Sequence, residues 1–152
     1  MLNRDYSDLL SAFSRHRVEY LLVGAYAMAV HGQPRATMDI DLWLRVSPAN
    51  AASVSAALAE FGAPLEALAA SNFLVPGTVV QIGVAPRRID LLTRIDGVDF
   101  DAASARAASA MVGELRIPVI ALDDLITNKR ATGRAQDRID AERLAQLHGP
   151  AP

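Results

Sequence analysis

The sequence predicts an α+β fold, in which a mixed, largely antiparallel sheet is flanked by helices within a single domain spanning residues 1–152. Short apolar or alternating runs, which are typical of strands, are interspersed with stretches of helical periodicity. No internal repeat, low-complexity tract or linker divides the chain. A hydrophobic content of 51% with 21% charged residues is ordinary for a globular protein of this length.

Composition restricts the function classes. The net charge of -2 argues against a protein whose main role is to coat nucleic acid, although a local basic groove is compatible with it. The chain has no cysteine, which excludes a disulfide framework, thiol chemistry and a cysteine-based zinc site. Several charged residues lie near the N-terminus, and no apolar run is nearly as long as the roughly 20 residues that a membrane span needs. We therefore expect a cytoplasmic protein with no membrane partner.

The first elements follow from where apolar runs begin and stop. Residues 2–16 carry apolar residues at helical spacing, with Ser7 as the expected N-cap. Tyr20 to Val23 form an apolar run that ends at Gly24, as a buried strand ends at a tight turn. The small residues from Ala25 to Val30 then predict a short, closely packed helix.

The segment from Asp39 to Leu44 alternates polar and apolar residues, which predicts a half-buried strand. Its three aliphatic residues share one face, so Asp39, Asp41 and Trp43 share the other. Two like charges side by side among apolar neighbours are costly unless a cation lies between them. This conflict is the strongest functional signal in the sequence.

The remaining segments complete the α+β pattern. The Ser47-Pro48 pair predicts the capped start of a helix that ends at Gly62. Residues 65–73 fit either a short helix or a loop, and Asp96-Gly97 is typical of a hairpin turn. The other predicted elements are strands at 79–84 and 89–93, a helix at 102–108, one or two strands within 111–120, and helices at 122–130 and 136–147.

A third carboxylate, that of Asp90, lies on a later predicted strand and repeats the facing of Asp39 and Asp41. If the two strands are neighbours, the three carboxylates converge on one sheet face. Such a cluster suits Mg²⁺, and a pair of these ions can activate an attacking oxygen and neutralise the leaving group in phosphoryl or nucleotidyl transfer. The alternatives are a solvated strand edge for the first two residues and an ion pair with Arg87 or Arg88 for Asp90.

The turn at Gly24 supports a phosphate site, because a strand that runs into a glycine and then a helix points backbone N–H groups beyond its end. Alternatively, the glycine only supplies a permitted dihedral. Arg35 either clamps a phosphate or is a surface charge. Lys129, the only lysine among 15 basic residues, either contacts a phosphate or lies on a solvated helix face. Trp43 either stacks on a base or covers a packed helix.

The order G-A-x-A-x-x-x-H-G-x-P-R-A-T-x-D-I-D, followed by I-D on a later strand, resembles the DNA-polymerase-β-type nucleotidyltransferase superfamily. It is similar to small bacterial members related to the abortive-infection nucleotidyltransferase toxins. The resemblance runs over most of the chain. It implies the nucleotidyltransferase fold, Mg²⁺ as cofactor and a nucleoside triphosphate donor, which is ATP, CTP or another NTP.

The resemblance also implies roles for individual residues. Asp39 and Asp41 would bind both metals, and Asp90 would complete the second site and help to deprotonate the acceptor hydroxyl. The residues expected to bind the nucleotide are Gly24, Ala25, Arg35, Thr37 and Lys129. The chain departs from the superfamily at the turn, which is usually Gly-Gly or Gly-Ser, because Ala25 keeps the backbone N–H but offers no hydroxyl to a phosphate.

Taken together, these features predict a Mg²⁺-dependent nucleotidyltransferase that moves an NMP group from an NTP to a hydroxyl on tRNA, another RNA or a protein. The resemblance adds a toxin-like role and an antitoxin or operon partner. The alternative is a non-catalytic nucleotide-binding or partner-binding module, which Ala25 and the small size favour. A nucleotide-sugar glycosyltransferase would explain D-x-D but neither Gly24 nor Asp90. The oligomeric state is left open.

Overall fold

The computed structural model describes residues 3–34, 39–84 and 87–148. Strands and helices are interspersed along these ranges, with two short 3-10 helices at Leu65–Ala67 and Ala70–Phe73. In chain order the main elements are α1 (Arg4–Arg15), β1 (Tyr20–Val23), α2 (Gly24–Val30), β2 (Ile40–Leu44), α3 (Pro48–Phe61), β3 (Val79–Ile82), β4 (Ile89–Leu92), α4 (Phe100–Ala105), β5 (Ala108–Val112), β6 (Leu115–Val119), α5 (Leu122–Ala131) and α6 (Ala135–Leu147).

The strands form one six-stranded sheet in the order β3-β4-β2-β1-β6-β5. The pairs β1–β2, β3–β4 and β5–β6 are antiparallel, whereas β1–β6 and β2–β4 are parallel. Together with the flanking helices, this confirms the predicted α+β class with a mixed, largely antiparallel sheet. The pairing of β2 with β4 is the one that matters for function, since it makes neighbours of the two predicted acidic strands.

The core is continuous between the central strands and the helices that cover them. All four residues of β1 are buried, because this strand has a partner on each side and helices over it. Helix α1 contributes Tyr6, Leu9 and Phe13, each fully buried, and packs against α3. Strands β1, β2 and β4, which lead into or carry the predicted site residues, are likewise mostly buried.

Helix α3 has the boundaries that its capping residues predict. The Ser47 hydroxyl accepts a hydrogen bond from the backbone N–H of Asn50, and Pro48 occupies the first turn. Gly62 ends the helix in the left-handed conformation, at φ 91°. Local chemistry alone decides both ends of this helix.

Two predictions on local structure were wrong. Helix α1 is capped by Asn3, whose Oδ1 accepts from the backbone N–H of Tyr6, so Ser7 lies inside the first turn. Asp96-Gly97 does form a turn, but it leads into α4 and not into the second strand of a hairpin. The reason is Asp99, whose side chain accepts from the backbone N–H of Ala102 and starts a helix directly after the turn.

Three smaller differences concern boundaries. The undecided residues 65–73 form the two 3-10 helices, and the predicted helix at 102–108 starts and ends earlier, as α4. The segment 111–120 belongs to two strands, β5 and β6, which turn at Gly113. Among the described residues, no helix combines the length and the apolar character that crossing a membrane requires.

Candidate active site

The turn at Gly24 lies directly against the carboxylate of Asp41. Val23, the last residue of β1, is the register partner of Asp41 on β2, and Gly24 begins α2 with φ 69°. A β-carbon at this position would collide with Oδ2 of Asp41 and would lie 3.0 Å from its Cγ. Only glycine combines this backbone conformation with this close approach. The structure thus brings together the two parts of the motif that the sequence separates by a helix.

Asp41 and Asp90 are register partners on the parallel strands β2 and β4. Asp90 is only 7% exposed, and Asp41 is half-buried. Burial, followed by the charge and hydrogen bond of Asp90 and the charge of Asp39, raises the pKa of Asp41 to about 7, while Lys129 acts in the opposite direction. The structure therefore pairs Asp41 with Asp90 across the two strands and leaves Asp39 close enough for its charge to act on Asp41.

Arg88 supplies the positive charge at this cluster. Its Nε donates to Oδ1 of Asp90 at 2.8 Å, and its Nη2 donates to Oδ2 of the same carboxylate at 3.1 Å. The same Nη2 lies 3.3 Å from Oδ2 of Asp39, whose Oδ1 accepts from the Arg88 backbone N–H at 3.1 Å. The ion pair that the sequence offered as the alternative role of Asp90 is thus formed with Arg88.

The backbone of Arg88 is held from two sides. Its carbonyl oxygen accepts from the phenol O–H of Tyr6 at 3.1 Å and from the backbone N–H of Ile40 at 3.0 Å. Tyr6 is fully buried on α1 and packs edge-to-face against Tyr26, with ring centroids 5.8 Å apart. Burial raises the pKa of Tyr6 to about 12, so its phenol stays a hydrogen-bond donor at neutral pH. Helix α1 therefore anchors the strand end that carries Arg88.

A cavity of about 600 Å³ opens next to this cluster. Four predicted site residues line it, namely Gly24, Ala25, Asp41 and Lys129. Its volume is within the range of small-molecule sites, which is about 300–1,000 Å³. The far wall is formed by the start of α6 and the end of α5, so the cavity lies between the acidic strand ends and the last two helices.

Lys129 is a mostly buried cation and not part of a solvated helix face. Its side chain is 13% exposed, and its Nζ lies 3.2 Å from Oδ1 of Asp137 and 3.7 Å from Oδ2 of Asp140. Asp137 also accepts from the Thr132 hydroxyl at 2.7 Å. Burial acts to raise the pKa of Asp137, but the Thr132 hydrogen bond and Lys129 outweigh it and hold that pKa below its ordinary value. Lys129 thus joins α5 to α6 at the wall of the cavity.

Arg35 and Thr37 were also predicted to contact the nucleotide, and Trp43 either to stack on its base or to cover a helix. Trp43 is 2% exposed and packs edge-to-face against Phe100 of α4, with centroids 5.0 Å apart, so it covers a helix and does not present a face for base stacking. Arg35 and Thr37 lie outside the described residues.

The three carboxylates are the oxygen donors that a metal ion would use here. Within residues 3–34, 39–84 and 87–148, no group of three or more His, Cys, Asp or Glu side chains is arranged to hold a metal ion. The donor set itself suits a hard cation, since it is made of carboxylate oxygens. Burial, and then the charges of Asp90 and Asp39, raise the pKa of Asp41, and a bound cation would oppose that shift. The residues fit Mg²⁺ chemically, and the metal site stays a prediction.

The contact of Arg88 with Asp39 and the role of Tyr6 were not predicted, although the pair of Arg88 with Asp90 was one of the alternatives. Arg88 lies two residues before Asp90, and strand alternation places residues i and i+2 on one face, so the sequence contained a signal for its pairing. Tyr6 carried no such signal, because its contact with Arg88 spans 82 residues of chain. Only the packing of α1 on the sheet reveals it.

Comparison with known proteins adds evidence on the fold. No protein-family model matches the chain, and no curated protein matches it. It is similar to the crystal structure of a Thermotoga maritima protein provisionally named a nucleotidyltransferase (TM1012), with a TM-score of 0.62, 14% identity and 94% of each chain covered. It is also similar to the solution structure of the antibiotic-resistance factor ANT(2'')-Ia, with a TM-score of 0.56, 13% identity and coverage of 95% of this chain and 82% of that one. The chain therefore has the α+β nucleotidyltransferase fold of these structures.

Proposed function

We propose that this protein is a nucleotidyltransferase that moves an NMP group from an NTP to an acceptor hydroxyl. The observation that carries the proposal is the contact of Gly24 with Asp41, with Asp90 in register beside it and the cavity in front. The names of the two similar structures, one a provisional nucleotidyltransferase and the other a resistance factor, support the class of activity but not the substrate.

In this proposal Asp39, Asp41 and Asp90 would hold Mg²⁺. When bound, the ions supply the charge that activates the attacking oxygen and neutralises the leaving pyrophosphate. Asp90 would accept the proton of the acceptor hydroxyl at a carboxylate oxygen. Asp41, which is costly to ionise in the buried cluster, would be held as an anion by the added positive charge.

The nucleotide would lie in the cavity with its phosphates at Gly24 and Ala25. The absence of a side chain at Gly24 leaves backbone N–H groups accessible next to the carboxylates. Arg35 and Thr37, from the segment before Asp39, would add contacts to the phosphates. Lys129 would contribute by neutralising Asp137 and Asp140, so that the wall facing a triphosphate does not repel it.

The experiment measures transfer of label from each α-³²P-labelled NTP, with Mg²⁺, to total tRNA and, separately, to a protein extract. Wild type is compared with Asp41→Asn and with Asp8→Asn, an exposed carboxylate on α1 as the matched control. We expect transfer to fall at least about a hundredfold in Asp41→Asn only, as for the loss of a main electrostatic contributor. Equal transfer by wild type and Asp41→Asn would refute the proposal.

A non-catalytic nucleotide-binding module is the second candidate, and the pairing of Arg88 with Asp39 and Asp90 favours it, because the carboxylates already have a cation. Thermal shifts with ATP and Mg²⁺ separate the two candidates. Stabilisation without transfer to any acceptor favours the module, and no stabilisation counts against both.

A toxin-like role is the most specific part of the proposal, and a separate experiment tests it. Induced expression of the wild type would arrest bacterial growth, whereas Asp41→Asn would not. Co-expression of the neighbouring gene would relieve the arrest if that gene encodes an antitoxin partner. Growth that is the same with wild type and Asp41→Asn would remove the toxin role and leave the enzymatic proposal intact.

A further inference from the structure

The guanidinium of Arg88 contacts two of the three carboxylates that would bind the metal. It makes a two-point contact with Asp90, at 2.8 and 3.1 Å, and it lies 3.3 Å from Asp39. Two-point arginine–carboxylate contacts are among the stronger polar contacts in proteins, because both hydrogen bonds are charge-assisted. The side chain of Asp90 is only 10% exposed and that of Arg88 is 32% exposed, so solvent reaches this pair from the arginine side.

A divalent cation needs the same oxygen atoms. Both oxygens of Asp90 accept from Arg88, and Oδ2 of Asp39 faces the same guanidinium. A guanidinium and a metal ion on one carboxylate also repel each other across a short distance in a partly buried place. Each carboxylate oxygen has a second lone pair, so a metal could bind beside Arg88, but these contacts and the positive charge oppose it.

The geometry allows the side chain to leave while the backbone stays. The Arg88 side chain is 32% exposed, so a path to solvent exists. Its backbone is fixed by hydrogen bonds from Tyr6 and Ile40 to its carbonyl oxygen and by the hydrogen bond from its N–H to Asp39. An exchange of partners would thus be a side-chain movement and would not disturb the sheet.

We propose that Arg88 competes with the divalent cation: it is a positioning residue that holds Asp39 and Asp90 in place without metal, and its contacts weaken the binding of the metal. The inference rests on the proposed function, since it assumes that the carboxylates are metal ligands. It makes Arg88 the residue that sets how much free metal the protein needs.

The test is binding of Mn²⁺ to the nucleotide-free protein, measured by electron paramagnetic resonance of free Mn²⁺ and by calorimetry. Arg88→Gln is compared with wild type and with Arg87→Gln, which removes an equal charge from the neighbouring exposed residue. We expect Arg88→Gln to bind Mn²⁺ about tenfold or more tightly, as for charge-assisted hydrogen bonds that no longer oppose the metal. Arg87→Gln should change the affinity by less than about threefold.

Arg88→Lys guards against a misfolded variant, because it keeps the charge and loses only the two-point contact. It should bind Mn²⁺ with an affinity between those of wild type and Arg88→Gln. Affinity equal to or weaker than wild type in a folded Arg88 variant would overturn the inference. Failure of the Arg88 inference would leave the proposed function standing if wild type binds Mn²⁺ and Asp41→Asn does not. Absence of Mn²⁺ binding in wild type and in all variants would refute both the inference and the proposed function.

Discussion

Gly24 and Asp41 are packed so closely that no side chain fits between them. The glycine has φ 69°, and a β-carbon there would collide with Oδ2 of Asp41. The contact follows from the antiparallel register of β1 and β2, in which Val23 pairs with Asp41. A strand end, a turn and a carboxylate are thereby combined at one point, which is where a phosphate and a metal would have to meet.

Gly24→Ala should be more damaging than an equivalent change elsewhere. Backbone strain of about 1–2 kcal/mol is added to the collision with Asp41, so we expect a loss of about 2 kcal/mol or more in unfolding free energy. Gly113→Ala is the control, since Gly113 has φ 61° and nothing within 4 Å of the added carbon. Chemical denaturation measures both, and equal losses would contradict the close packing at Gly24.

Without divalent cations, stability should fall as the pH rises through about 7. The folded protein holds the proton of Asp41 more tightly than the unfolded chain, so folding is favoured as pH drops from about 7 towards about 4. The charged groups that act on Asp41 are Asp90, Asp39 and, in opposition, Lys129. Melting temperatures between pH 5 and 8 should decline in wild type and less so in Asp41→Asn.

Added Mg²⁺ provides the internal control for the pH dependence of the melting temperature. If the cation is bound by the ionised carboxylates, it should raise the melting temperature more at pH 8 than at pH 5 in wild type. Parallel profiles for wild type and Asp41→Asn, with or without Mg²⁺, would show that Asp41 does not carry the pH dependence.

Tyr6→Phe removes the hydrogen bond from α1 to the carbonyl oxygen of Arg88. One buried hydrogen bond is worth about 1 kcal/mol, which corresponds to about 2–4 °C in the melting temperature of a protein of this size. Tyr26→Phe, on the half-buried ring packed against Tyr6, should cost less than half as much. Calorimetry compares the two, and a larger loss in Tyr26→Phe would argue against an anchoring role of Tyr6.

Lys129→Met should destabilise the protein by about 3–5 kcal/mol, because it leaves Asp137 and Asp140 buried with less compensating charge. Arg130→Met is the control on the same helix, since Arg130 is 54% exposed and its loss should cost less than about 1 kcal/mol. Urea denaturation gives both values. A stable Lys129→Met variant that has lost affinity for nucleotide would instead make Lys129 a phosphate ligand.

Patterns that act over a few residues predicted much of the fold and part of the site. Strand alternation placed Asp39 and Asp41 on one face, and capping chemistry gave both ends of α3. The same kind of pattern misled at Asp96-Gly97, where the turn is real but the next element is decided by the cap at Asp99. A turn motif specifies its own backbone and leaves the type of the next element open.

The acidic strands, the glycine turn between strand and helix, and the α+β class could be predicted from the sequence, since each depends on local periodicity and backbone preference. Which charges meet became clear from the packed structure alone: Arg88 with Asp39 and Asp90, and Lys129 with Asp137 and Asp140. An ion pair needs side chains within a few ångströms. That distance is set by how strands order in the sheet and how helices pack on it.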